Sequence, residues 1–109
     1  MAIVEERCYV LHSQFGPADY FAIYDRLGRK VQTQTLGGLI GYFASEVGEL
    51  NSILSLWRYD SFEARLQRRA QLAADPAWKE YLSQIRPMIR TMNNRLLVPV
   101  AAPEERTTA

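Results

Sequence analysis

The spacing of hydrophobic residues changes abruptly inside "LSLWRYDSFEARLQRRAQLAADPAWKEYL", residues 54–82. Up to Tyr59 the apolar side chains alternate. Leu50, Leu54 and Leu56 project to one side of an extended chain, and Ile53, Trp57 and Tyr59 to the other. From Asp60 onward the period is that of a helix. A strand apolar on both faces belongs in the middle of a sheet, with both of its faces covered. A chain that turns from such a strand directly into helix lays that helix over one face and leaves the other for a different cover.

Two helix starts follow the strand. Asp60 and Glu63 fit a capping box, and Phe62, Leu66, Ala70 and Ala73 then mark an inward stripe. Arg65, Arg68 and Arg69 lie mostly off that stripe and read as a solvated face, with Glu63 and Asp75 flanking them. The formal net charge of +1 gives no basic excess for a nucleic-acid backbone, so no nucleic-acid partner is expected. Asp75 as N-cap and Pro76 at the first helical position open a second helix. Its apolar face is Trp78, Tyr81, Leu82 and Ile85, and Pro87 should end it.

Upstream, Ile3 to His12 reads as a first strand, halted by "FGPADY". Gly16 as N-cap, Pro17 and Asp19 then start a helix whose Tyr20, Ile23, Tyr24, Leu27 and Val31 share one face. "TLGGLIGYFASEVG" returns to extended structure with a turn near Gly48, and Met88 to Val100 supplies the last strand. The order predicts an α+β fold, ferredoxin-like β-α-β-β-α-β, with a four-stranded antiparallel sheet and its helices on one side. Residues 1–100 form one domain in this reading, with 101–109 a mobile tail.

At 109 residues the chain is long enough for one core, and 48% hydrophobic with 23% charged residues is ordinary globular composition. Its single cysteine, Cys8, has no intramolecular disulfide partner, which points to a reducing compartment and a cytoplasmic home. Cys8 lies in the apolar run Ile3–Leu11 and reads as a small buried hydrophobe. One His and one Cys do not make a zinc site of those ligands. No signal peptide and no membrane span is expected.

Several stretches resemble the NIPSNAP family. "EERCY" is similar to the family's opening Glu-x-Arg-x-Tyr, and "GGLIGYFASEVGELN" to its Gly-rich second strand and hairpin. "LSLWRYDSFEARLQRRAQLAADPAWKEYLSQIRPMI" resembles its Leu-Trp-x-Tyr strand end, Arg-rich helix and Asp-Pro-x-Trp start, and "NRLLVP" its closing Asn-x-Leu-Leu. The resemblance implies a dimeric α+β barrel and therefore a homodimer. It implies no particular activity: eukaryotic members are linked to mitochondria and to vesicle or mitophagy-related interactions. Ser55 stands where the family often has His, and Met92-Asn93-Asn94 where it often has Gln-Glu-Asn.

His12, the only histidine, is the one candidate for acid–base chemistry near neutral pH. Tyr9, Tyr42, Trp57 and Tyr59 could line a pocket for a small apolar or aromatic ligand, with Arg7 or Arg58 as an anion anchor, and they serve equally well as core. No nucleophile elbow, phosphate loop or dinucleotide fingerprint is present, and no cofactor is expected. Three functions stay open. The first is a NIPSNAP-type dimer binding a small molecule or a protein partner in its cleft. The second, by analogy of fold, is a cofactor-free oxygenase or isomerase of the antibiotic-biosynthesis monooxygenase type. The third is haem binding, for which His12 is the sole imidazole.

Overall fold

A computed structural model of the chain describes residues 1–100; the expectation for residues 101–109 lies outside them. Strand β1 (Ile3–Leu11) is flanked by β3 (Ser52–Tyr59) and β4 (Ile89–Leu97), and β2 (Leu39–Ala44) pairs with β3. The order is β2-β3-β1-β4, antiparallel throughout, so β3 is internal, as its two apolar faces require. Glu5 stands opposite Trp57 on one side and Leu96 on the other; Arg7 stands opposite Ser55 and Asn94. Odd-numbered residues of β1 face the helices, and even-numbered ones face away.

Between β1 and β2 the chain runs as α1 (Pro17–Ile23), a π turn (Tyr24–Gly28) and α2 (Arg29–Leu36). Gly16 is the N-cap and Pro17 opens the first turn, while the Asp19 carboxylate accepts from the Gly16 N–H at 2.8 Å. The buried positions are Tyr20, Tyr24, Gly28, Gln32 and Leu36, a strict spacing of four. A regular α-helix over-rotates by roughly 40° at every four-residue step, and the wider π turn takes up much of that drift. Tyr20 and Tyr24 are therefore inside as expected, whereas Ile23, Leu27 and Val31 are only partly covered. Thr35 and Leu36 end the helix rather than begin the strand. Gly28 lets another helix approach: a Cβ there would lie 2.8 Å from the Tyr81 ring.

After β3 the helix α3 (Phe62–Ala74) is rotated from the orientation that its apolar spacing suggests. Phe62 and Leu66 are about half exposed, Ala70 and Ala73 are exposed, and Leu72 is the buried residue. Arg65 and Arg69 sit half-buried, and the Arg68 guanidinium donates to the Leu36 carbonyl at 3.0 Å. Arg65 and Arg69 are therefore not a solvated face, while Arg68 stays largely exposed. Their methylene stems pack as apolar surface, Glu5 on the sheet receives the Arg65 guanidinium, and the Leu36 carbonyl on α2 receives that of Arg68. The cap also moves by one residue, because Ser61 Oγ, not the Asp60 carboxylate, accepts from the Ala64 N–H.

Helix α4 (Pro76–Ile85) starts as expected: the Asp75 carboxylate accepts from the Ala77 N–H at 2.9 Å, and Trp78, Tyr81 and Ile85 are buried. A 3-10 turn containing Pro87 closes it. Leu50 lies in the turn before β3 and is exposed, so it does not share a strand face with Leu54 and Leu56. Among the described residues no helix is long and apolar enough to cross a membrane.

The two tryptophan-flanking helices give opposite expectations on mutation. Trp78→Ala should cost about 3–5 kcal/mol, because it empties a buried site beside Tyr81. Leu66→Gln should change stability by less than about 0.5 kcal/mol. Denaturant melts of the two variants check the rotation of α3: a large loss for Leu66→Gln would restore the inward stripe.

Candidate functional site

Glu5 lies on the helix side of β1 and has no solvent exposure. A buried carboxylate is tolerable only with donors around it. Its Oε2 accepts from Arg7 Nη1 at 2.8 Å, Asn94 Nδ2 at 2.9 Å and Arg65 Nη2 at 3.0 Å, and its Oε1 accepts from Arg65 Nε at 3.2 Å. Burial pushes the carboxyl upward, but hydrogen bonds from Arg65 and Asn94 and the charges of Arg7 and Arg69 outweigh it and hold the group at about 2. Glu5 is thus an anion across the physiological range.

The positive side of the cluster is larger. Arg7, Arg65 and Arg69 supply three guanidinium charges against the one carboxylate. Arg7 Nε also donates to the Tyr9 hydroxyl at 3.1 Å. Arg69 Nη1 and the Tyr59 hydroxyl are buried with no hydrogen-bond partner among the described residues. Burial and the neighbouring Glu5 charge raise the Tyr59 phenol, against the pull of Arg69 and Arg65.

Beside this cluster stands a wall of tyrosines. The Tyr81 hydroxyl donates to the Tyr20 hydroxyl at 2.8 Å, and the Tyr24 and Tyr42 hydroxyls both donate to Gln32 Oε1, at 2.7 and 3.1 Å. Tyr24 and Tyr42 ring centres are 4.7 Å apart, and the Trp57 ring meets Tyr42 edge-on at 6.2 Å. Burial raises Tyr20, Tyr24, Tyr42 and Tyr81 above the ordinary phenol range. These phenols stay protonated at neutral pH and do not supply a base.

The residues singled out from the sequence fall into three places. Arg7, Tyr9, Tyr42, Trp57 and Tyr59 all lie between sheet and helices, with Trp57 and Tyr59 buried in the core rather than lining an open pocket. Arg58 is exposed on the other face of the sheet, opposite Val4. His12 follows the far end of β1, seven residues from Glu5 and so roughly 23 Å away along the strand. It borders a separate groove with Ser13, Gln14, Glu49, Asn51 and Arg90. Ser55, in the position where the resemblance suggests His, is buried and accepts from Trp57 Nε1 at 3.0 Å.

Glu5 itself was not among those candidates. Alternation along β1 places it on the same face as Ile3, Tyr9 and Leu11, and an acid in that company was the available signal. The cluster also gathers the separate sequence motifs: Glu5, Arg7 and Tyr9 from the opening, Tyr59 from the strand end, Arg65 and Arg69 from the helix, and Asn94 from the closing segment.

A NIPSNAP family profile matches residues 4–103. The chain belongs to the NIPSNAP family. It is 36% identical over 61 residues to a NipSnap homolog of Dictyostelium discoideum, a match covering 56% of this chain and 27% of that protein. The chain spans less than a third of the length of the curated NIPSNAP relatives it matches. A solved NIPSNAP-like domain protein from Burkholderia xenovorans superposes with TM-score 0.85 at 42% identity, over 94% of this chain and 89% of the other. A NIPSNAP family protein of unknown function from Agrobacterium tumefaciens gives 0.89 at 35% identity, over 94% and 92%. SnoaB, a cofactor-independent oxygenase from Streptomyces nogalater, shares the fold at TM-score 0.67 and 13% identity, over 95% and 98%, which is a likeness of fold alone.

Glu5 makes the stability of this NIPSNAP domain acid-sensitive. Its carboxyl is at about 2 when folded and at the ordinary 4.5 when unfolded, so its contribution is complete above about pH 4.5 and is lost as pH falls toward 2. Glu5→Gln should cost about 3–5 kcal/mol at pH 7, by leaving buried guanidiniums without their anion, and should flatten the decline over that window. Chemical melts at pH 7, 4.5 and 3 on both proteins check it.

Proposed function

We propose that this NIPSNAP domain is a homodimeric binding module for a small apolar or aromatic molecule, and not an oxygenase. The observation that carries the reading is the separation of its chemistry. The one imidazole, His12, is at the far end of β1 from the guanidinium cluster, and the buried phenols Tyr20 and Tyr81 are held protonated. A cofactor-free oxygenase needs a base beside the substrate it holds. The helix side of the sheet instead supplies fixed charge, Arg7, Arg65 and Arg69 around Glu5, which suits recognition rather than turnover.

Homodimer formation is supported by the helix-free face. Val4, Cys8, Val10, Leu54, Leu56, Phe43 and Leu97 share it by register, and Phe43 is 49% exposed, its ring lying over Gly41. Glu6, Arg58 and Arg95 also stand on this face, but a monomer rarely leaves so many apolar residues of one sheet face to water, and a second copy would cover them with the same residues. The lone, half-buried Cys8 fits a reducing compartment, the cytoplasm in this reading.

Sedimentation at micromolar concentration should find a dimer, and Phe43→Asp should weaken it at least about tenfold while leaving the circular dichroism unchanged. A stable wild-type monomer would remove the dimer. Oxygen uptake with a panel of aromatic phenols should be absent; uptake that His12→Ala abolishes would restore the oxygenase.

A further inference from the structure

A groove of about 430 Å³ runs between α3 and α4, lined by Arg69, Ala73, Trp78, Lys79, Leu82, Ser83 and Arg86. Its size falls within the range of small-molecule sites. Its lining divides in a telling way: Ala73, Trp78 and Leu82 give an apolar floor, Arg69, Lys79 and Arg86 give three cations, and no carboxylate takes part. A neutral apolar ligand would use the floor and leave all three charges unanswered.

Arg69 joins this groove to the Glu5 cluster. It lines the groove at one end, and its charge acts on both Glu5 and Tyr59 at the other. Arg7, Arg65 and Asn94 already occupy the Glu5 oxygens. Arg69 is left without an ion-pair partner among the described residues, and at its buried end only the neutral Tyr59 phenol stands beside it. Three guanidiniums against one carboxylate leave two positive charges in a half-buried setting, where each uncompensated charge is costly. An incoming anion would lower that cost, and guanidinium geometry suits oxyanions best.

We propose that the α3–α4 groove binds a small organic anion with a compact aromatic body, the anion held by Arg69 with Lys79 and Arg86 at the rim and the ring resting on Trp78 and Leu82. The proposal rests on the binding reading above and adds the charge of the ligand and its place. The oxyanion is a carboxylate or a phosphate monoester; both answer the same cations.

Titration calorimetry on the full chain tests it, with Trp fluorescence in parallel because Trp78 forms part of the floor. Four probes separate the contributions: 1-naphthoate, 1-naphthyl phosphate, neutral 1-naphthamide and inorganic phosphate. The naphthyl anions should bind at least about tenfold tighter than the amide, and inorganic phosphate should bind weakly or not at all for want of a body. Tighter binding of naphthyl phosphate than of naphthoate assigns a phosphate monoester; the reverse assigns a carboxylate. Arg69→Met should bring the anions down to the affinity of the amide. Because Arg69 also borders the Glu5 cluster, the exposed Lys79→Met and Arg86→Gln serve as second variants, each expected to weaken anion binding severalfold without changing the melt. Equal affinity for amide and anion overturns the anion site while the binding module stands. Failure of every probe to bind overturns both.

Discussion

A single carboxylate with no access to water governs how this domain closes. Glu5 draws Arg7 from its own strand, Arg65 from α3 and Asn94 from β4, so three elements are positioned by one acceptor group. The hydrophobic effect alone would favour another rotation of α3, because Phe62, Leu66, Ala70 and Ala73 make a better apolar stripe than Leu72 with half-buried arginines. Charge settles the choice. Leaving Glu5 buried and unpaired costs several kcal/mol, more than two half-exposed side chains return.

The N-terminal helices solve a different problem. Tyr20, Tyr24, Gln32 and Leu36 must all face the sheet along a line with a period of four, which a regular helix does not hold. The π turn at Tyr24–Gly28 corrects the line, and its last residue, Gly28, admits the Tyr81 ring from α4. Tyrosines rather than leucines occupy this layer, and every hydroxyl there has a partner in Gln32 or another phenol. The layer is polar in its details and closed to solvent, which is why its phenols hold their protons.

Much of the fold was legible in the amino-acid sequence where a local rule sufficed. Two-sided apolar alternation placed β3 inside the sheet, and Gly16-Pro17 and Asp75-Pro76 marked real helix starts. What escaped depended on distant partners. Apolar periodicity scores an arginine as outward, and nothing near residue 65 reveals that its acceptor is 60 positions earlier. Asp60 and Ser61 are both good caps, and only backbone geometry selects the serine. The candidate site was half visible: Arg7, Tyr9 and Tyr59 were found as aromatic and cationic residues, but the acid that organises them was passed over. His12 drew notice for its chemistry, and strand length puts it out of reach of the cluster.

The span of the Glu5 contacts bears on how the chain is made. Asn94 is 89 residues beyond Glu5, so at roughly 5–20 residues per second the ribosome needs about 4–18 seconds to deliver the last donor after the acid has been built. During that interval β1 has no β4 beside it, and the edge that β4 will cover is open to other chains. The negative charge of Glu5 in its first half, together with Glu6 and Arg7 beside it, keeps the waiting segment hydrated and poorly suited to stacking against a copy of itself. The residue that locks the finished domain also guards the unfinished one.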